Sequence, residues 1–466
     1  MKKTFIIASV MMATIFAGCT KEAFEQDKNI PTENNTSTES EESTEGDHIT
    51  LTVSAVTKDS EAATGMRIAY GSTDATWETG DKIFLVKSDG TTITLTLSAG
   101  AGTSTGSFTS TDPIVAGTYT PYAVSASSIT KGYVSISEGI ITLDLSAAGG
   151  GTLADALEHD ILKGDAIDLE DDQESATITG LTTHMLSYLR FKFTATEKAI
   201  STIGMSSAGG VYRTVTIAAD GTVSGSDSST DVVSVTAGDD GENNYSGYFA
   251  VYGSTTTSLL AHAEDEDEGK YTRLVSVNDA NYTAGTVYGK SFTLSNAMMT
   301  AAATGALSEH NWKNLGLSVK WAEFNVGSSS EYDYNQNITN DAPVAVPWSG
   351  WRLPTRAEAQ ELFYASNRTW VTGATNGVRF DCNDNYVAMG AGGYYRWTEN
   401  GSETYPGEGS VVHFYIPETV SITNGDAQRW ASIGSQGTTL SFDNANLGSS
   451  KFGATNWSAM RLVCDY

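Results

Sequence analysis

The sequence predicts a mainly β chain: β-sandwiches, two in series, followed by a separate aromatic-rich unit. Three observations predict it. Short apolar runs separated by Gly-rich turns recur from Ile49 to Leu294, the spacing of sandwich strands. Charged residues make up only 18%, and Ser, Thr and Gly dominate the polar positions, which disfavours long surface helices. Eight of the nine tryptophans fall between Trp312 and Trp457, so the last third has a different composition.

In chain order, residues 1–18 have the layout of a secretory signal: Lys2 and Lys3, then an apolar run from Phe5 to Phe16 too short to span a bilayer as a helix. Phe16-Ala17-Gly18-Cys19 resembles the lipobox of bacterial lipoproteins, in which the cysteine is acylated and becomes the first mature residue. The resemblance implies a lipid anchor on Cys19 and an outer-membrane or cell-surface location, with the protein held at the membrane without spanning it. Residues 19–47 read as an acidic, disordered tether. Asn, Thr, Ser and Glu fill Thr32 to Asp47, leaving little to offset the entropy of ordering.

Residues 48–170 are expected to form the first sandwich. Ile49, Leu51, Val53 and Ala55 alternate with polar neighbours, and Ile83 to Val86 and Ile93 to Leu97 flank the hairpin signal Asp89-Gly90. Ala154 to Leu162 is the one helical turn read here. Residues 171–296 are expected to form the second, with Leu189, Phe191 and Phe193 alternating and Val215 and Ile217 turning at Asp220-Gly221. Residues 297–308, small and weakly patterned, read as a linker to a third unit at 309–466.

The net charge of −29 repels phosphate backbones, so no nucleic-acid partner is expected. With Cys19 lipidated, Cys382 and Cys464 remain, the number one disulfide needs in an oxidising compartment. Their pairing is the expectation, worth roughly 4 kcal/mol in the chain-entropy model. The alternative is two independent buried thiols.

Two family resemblances sharpen this outline. Ala75-Thr76-Trp77-Glu78-Thr79-Gly80-Asp81-Lys82-Ile83, Ala116-Gly117-Thr118-Tyr119, the His184 to Phe193 segment and Tyr282-Thr283-Ala284-Gly285-Thr286-Val287-Tyr288 resemble phrases of fimbrillin-like proteins of Bacteroides and relatives. The resemblance implies two tandem transthyretin-like β-sandwiches and a lipoprotein precursor. It also implies assembly with other pilin subunits by β-strand addition, once a trypsin-like protease removes an N-terminal strand. Here that strand is Ile49 to Val56, with Lys58 and Arg67 as candidate cut sites. The alternative leaves Arg67 in an uncut surface loop.

The last unit, with Gly316-Leu317-Ser318-Val319-Lys320-Trp321-Ala322, Trp351-Arg352-Leu353-Pro354-Thr355 and Arg461-Leu462-Val463, resembles the Fibrobacter major paralogous domain. That implies an α+β, C-type-lectin-like fold. Tyr395-Arg396-Trp397-Thr398 and the terminal Arg-Leu-Val-Cys depart from the family pattern, so ligand specificity does not carry over. Thr355 and Glu358 have capping-box spacing, and Ala359, Leu362 and Phe363 form the apolar face of a short helix ending near Asn367. Trp351 and Leu353 are expected to pack under it.

No Ser/His/Asp or Cys/His set stands out, so no enzyme and no cofactor are expected. His184 reads as a packed or hydrogen-bonded side chain, and His413 lies in a strand-like run. No zinc spacing exists, and the acidic run Glu264 to Glu268 lacks the ligand spacing of a calcium loop and reads as a solvated hairpin tip. What remains for recognition is aromatic: Tyr394, Tyr395, Trp430 and Trp457, in Gly-, Ser- and Asn-rich contexts, are candidates for stacking on a glycan or protein ligand. The reading is an adhesin, placed at a pilus tip because the chain ends in a folded head rather than a strand to donate. The alternative is a permanently anchored outer-membrane lipoprotein that binds glycans without polymerising.

Overall fold

The computed structural model describes residues 25–26, 50–53, 76–110, 112, 114–171, 173–207, 209–255, 258–276, 280–332, 346–371, 377–390 and 460–466, with strand segments at 395–398, 401–404, 411–416, 438–443 and 451–453. The fold is mainly β, as expected. Helices among these residues are short: Ala126–Thr130, Leu153–Leu157, Asn296–Met299 and Arg356–Ala365. The first was not anticipated, because its one sequence signal is the Ser125 cap, whose hydroxyl accepts from Ser128 N–H.

Asp89-Gly90 turns the hairpin between Lys82–Lys87 and Thr92–Ala99, with Gly90 at φ 92° and Asp89 Oδ1 accepting from Thr91 N–H at 2.9 Å. These strands are the middle of a nine-stranded sheet. Its order is Ser175–Ile178, Thr50–Val53, Gly106–Thr109, Thr92–Ala99, Lys82–Lys87, Gly117–Val124, Leu162–Lys163 and Thr183–His184, and Ile167–Leu169 also pairs with Gly117–Val124. The unbroken run Ile83 to Val86 is buried on both faces, which explains why it does not alternate. Ile83 and Leu85 pack beside Ile93, Leu95 and Phe108 of the same sheet in one apolar cluster, while Phe84 and Val86 belong to another with Ile141, Leu143, Val215 and Ile217.

That second face corrects the expected boundary at residue 170. Val134–Ser137 and Ile140–Asp144 share one four-stranded sheet with Val211–Ile217 and Val223–Ser229. Ser175–Ile178 and Thr183–His184 belong to the nine-stranded sheet. A strand with two apolar faces needs two covering layers, and residues from beyond 170 supply two of the four strands of one of them. The two β modules therefore share a core containing Phe84, Tyr122, Leu186, Tyr188, Val215 and Ala250.

The second module packs two sheets face to face. Ser187–Ala195 lies between Val287–Leu294, its parallel neighbour, and antiparallel Asn244–Val251, while Glu25–Gln26 pairs with the outer side of Val287–Leu294. The facing sheet runs Val233–Thr236, Ile200–Ser207, Leu259–Asp265, Lys270–Ser276. Leu189, Phe191 and Phe193, with Phe249 of the neighbouring strand, point into the core that also holds Ile203 and Met205 of the facing sheet. Each such buried side chain stabilises the sandwich by about 1.5–3 kcal/mol.

The C-terminal unit has apolar clusters of its own. In one, Leu315, Leu317 and Trp321 pack with Ala359, Leu362, Phe363 and Phe380; in the other, Trp351 packs with Ala322, Met460 and Leu462. Val463–Cys464 closes the unit by pairing with Lys320–Ala322. Three expectations are corrected here. Thr304–Leu307, read as linker, is the first strand of this unit's four-stranded sheet, pairing with His310–Lys313. The Cys382–Cys464 bridge is not formed: both are buried free thiols, each serving a different apolar cluster, the alternative reading above. Trp351 and Leu353 pack not under the helix but in the cluster with Met460 and Leu462, where Trp351 Nε1–H donates to Leu307 O at 3.0 Å.

Candidate functional surfaces

Most of the residues singled out for function fall outside the described ones: Cys19, Lys58, Arg67, Tyr394, Trp430 and Trp457. Tyr395 begins the strand Tyr395–Thr398, paired with Gly401–Thr404, and His413 lies in Val411–Ile416. The segment expected to be exchangeable is better placed. Thr50–Val53 is an interior strand of the nine-stranded sheet, antiparallel to Gly106–Thr109 on one side and parallel to Ser175–Ile178 on the other. Its removal would leave facing rows of backbone donors and acceptors on both neighbours, a slot that an extended segment can refill.

The phrases that resemble fimbrillins all hold turns or joints. Trp77 is buried edge-on to Phe108, with ring centroids 4.9 Å apart. Asp81, fully buried, accepts from Glu78 N–H through Oδ2 at 2.8 Å and from Ala126 N–H through Oδ1 at 2.9 Å. It ties the Gly80 turn to the start of Ala126–Thr130. Tyr119 is buried and its hydroxyl donates to Val115 O.

The His184 and Gly285 phrases meet at the junction of the two modules. Gly285 takes φ 78°, its N–H donates to Leu186 O at 2.7 Å, and a Cβ there would approach His184 Cδ2 to 3.2 Å. His184 Nδ1–H donates to Asp160 Oδ2 at 2.6 Å, and the Tyr188 hydroxyl donates to the same oxygen at 2.5 Å. Asp160 Oδ1 accepts from the N–H groups of Ile161, Met185 and Leu186. One buried carboxylate thus gathers five donors where the chain crosses from one module to the other. Sequence reasoning anticipated a packed, hydrogen-bonded His184 but not Asp160; a charged residue directly before the apolar Ile161-Leu162 was the available signal. The set holds Tyr, Asp and His together, yet all three are buried and burial pushes the Tyr188 phenol well above its usual range. That is an architectural knot, buried at the joint.

Glu264 to Glu268 runs from the end of the strand Leu259–Asp265 into the hairpin tip that leads to Lys270–Ser276. Asp265 is turned inward: its Oδ1 accepts from Asp267 and Gly269 N–H, and its Oδ2 accepts from the Tyr271 hydroxyl at 2.8 Å. Lys198 Nζ sits 3.5 Å from Asp265 and 3.3 Å from Asp267. Among the described residues no group of three His, Cys, Asp or Glu side chains converges as metal ligands would.

In the C-terminal unit the Trp351 to Thr355 motif organises the helix start. Thr355 and Glu358 form the expected reciprocal capping box, and Arg352 pairs with both Glu358 and Asp465. Arg461 is wholly buried, and among the described residues its hydrogen-bond partners are an amide and backbone carbonyls, not a carboxylate. It donates to Asn325 Oδ1, to the carbonyls of Ala322 and Glu323, and to Ala388 O, and burial lowers its pKa to about 9. The fork stitches the C-terminal strand to two other segments. Burial pushes the Cys382 thiol up to about 12, so it is an inert packing group. Half-buried aromatic surface occurs at His310 and Trp348, whose rings stack with centroids 3.6 Å apart.

No family model and no curated protein sequence matches the chain. Several solved structures are similar to part of it. A candidate cell adhesion protein of Bacteroides uniformis is 16% identical, with 54% of this chain and 93% of that one covered at a TM-score of 0.33. A candidate cell adhesion protein of Bacteroides ovatus is 16% identical, with 53% and 92% covered at 0.36. The tip fimbrial protein Mfa3 of Porphyromonas gingivalis, C-terminally truncated, is 11% identical, with 57% and 97% covered at 0.25. At such scores these record only what about half of the chain is similar to.

Proposed function

We propose that the protein is a cell-surface adhesin, a pilus tip subunit of the fimbrillin type that presents a lectin-like head to a glycan or protein ligand. The observation that carries this reading is the position of Thr50–Val53, an interior strand contributed from far up the chain and joined to the rest through the stretch containing Lys58 and Arg67. A tryptic cut there would release the strand and open the slot to a neighbouring subunit's segment, whose main-chain hydrogen bonds would replace the lost ladder. The unit with its own apolar clusters, beyond residue 303, supports a role at the end of a fibre: two β modules supply reach, and the third supplies contact.

A second reading, permanent anchoring through a lipidated Cys19, is favoured by one observation. Glu25–Gln26 pairs with Gly289 and Tyr288 of the second module. Glu25 lies only six residue steps beyond Cys19, a reach of about 20 Å, so this pairing would hold the body close to the membrane. Mass-spectrometric sequencing of the surface-assembled form separates the two. A mature N-terminus after Lys58 or Arg67 supports polymerisation, and an intact acylated Cys19 supports the anchor. A glycan array probed with the full chain tests the adhesin reading itself, and absence of binding to glycans and to host-protein panels would remove its basis.

A further inference from the structure

The second module's facing sheet ends at Lys270–Ser276, a strand with a neighbour on one side only. Its other side is covered by the C-terminal unit. Thr272 N–H donates to Gly316 O at 3.0 Å, and Arg273 Nη1–H donates to the same carbonyl at 2.9 Å. Arg273 is buried in this joint and also donates to Thr272 O. Opposite it, Asn383 and Asp384 form a left-handed turn, φ 50° and 63°, that reaches across. Asn383 Nδ2–H donates to Thr272 Oγ1 at 3.2 Å and to Leu315 O at 2.7 Å, and Asp384 pairs with Lys270 at 2.5 Å. Gly316, at φ 66°, is required here: a Cβ would lie 2.0 Å from Lys270 O.

The covalent connection between the two units is also clamped. Ser295 caps Asn296–Met299, whose Met298 and Met299 are buried, Met299 in the second module's core. Asn314 N–H and Asn385 Nδ2–H both donate to Ala303 O at 2.8 Å, and the Tyr466 hydroxyl donates to Asn314 Oδ1 at 2.6 Å. A free linker leaves its carbonyls to solvent, whereas this one is held from the C-terminal side.

We propose that the C-terminal unit is locked to the second β module at a fixed angle, with Gly316 and the Asn383-Asp384 turn seated on the edge strand Lys270–Ser276, so that this joint works as a rigid mount and not a hinge. Tension on the head then reaches the module through main-chain contacts in parallel with the covalent connection. The same contacts cover an open strand edge that would otherwise be available for pairing. The inference is independent of what the head binds.

The test uses the full chain with spin labels at Ser226 and Ser329, attached through a keto amino acid so that Cys382 and Cys464 stay untouched. Double electron–electron resonance should give one narrow distance distribution for the parent. Asn383→Gly keeps the left-handed turn and removes both side-chain bonds; Gly316→Val forces the joint apart. Each should broaden the distribution at least twofold, with circular dichroism unchanged. A parent distribution as broad as the variants', or an Asn383→Gly distribution as narrow as the parent's, overturns the proposal. Should Gly316→Val fail to fold, Asn383→Gly decides it alone.

Discussion

Replacing Asp160 by Ala should do more damage than removing any single apolar contact near it. The carboxylate is buried and accepts from three backbone N–H groups, His184 and Tyr188. Each buried donor left without a partner costs about 1–3 kcal/mol, and local relaxation recovers part of that, so the net loss should be about 4 kcal/mol. For a cooperative unit of this size that is a fall in Tm of about 8–16 °C. Tyr188→Phe removes one donor and leaves the other four satisfied, so it should cost only about 1–2 kcal/mol. Because Met185 and Leu186 lie on the crossover between modules, the loss should also weaken their coupling. Urea unfolding and calorimetry of the full chain measure both effects. A loss below 1 kcal/mol for Asp160→Ala, with the β modules still unfolding in one transition, would refute the account of Asp160 as the knot.

Three further outcomes are expected. His262 donates or accepts at both ring nitrogens, 2.8 Å from Ser206 Oγ and 3.1 Å from Thr272 Oγ1, and desolvation lowers its pKa to about 4. The unfolded chain binds the extra proton first, so stability is full above pH 6.5 and is lost as pH falls towards 4; the partly exposed ring limits the loss to about 2 kcal/mol, and His262→Gln should flatten that limb of a stability-versus-pH curve. Thr355→Ala removes the cap of Arg356–Ala365 and should cost the C-terminal unit about 1 kcal/mol, seen as faster amide exchange in the helix's first turn. Arg461→Met removes the bonds to Asn325 Oδ1 and to three carbonyls and should cost about 2–4 kcal/mol, confined in calorimetry to the transition of the C-terminal unit.

The sequence by itself determined what is decided within a few residues. Asp89-Gly90 and Asp220-Gly221 each specify a turn through a left-handed glycine and an aspartate accepting from the N–H two residues on, and both hairpins form. Thr355 and Glu358 sit three apart on one helical turn, so their capping box was legible without coordinates. The shift in tryptophan content marked a unit with apolar clusters of its own. Tertiary structure alone decided everything that depends on which distant strand covers which face. The two-faced run Ile83 to Val86 demanded a second layer but could not name Val211–Ile217 as its source, and so the boundary at residue 170 dissolved. Cys382 and Cys464 went to separate clusters, because which apolar space a thiol fills is set by packing and not by cysteine arithmetic. Asp160 gained its role only when His184, Tyr188 and two backbone amides arrived from more than twenty residues along the chain. Local signals act through bonds spanning three or four residues; the joints of this molecule are made by partners that meet only after the sheets have closed.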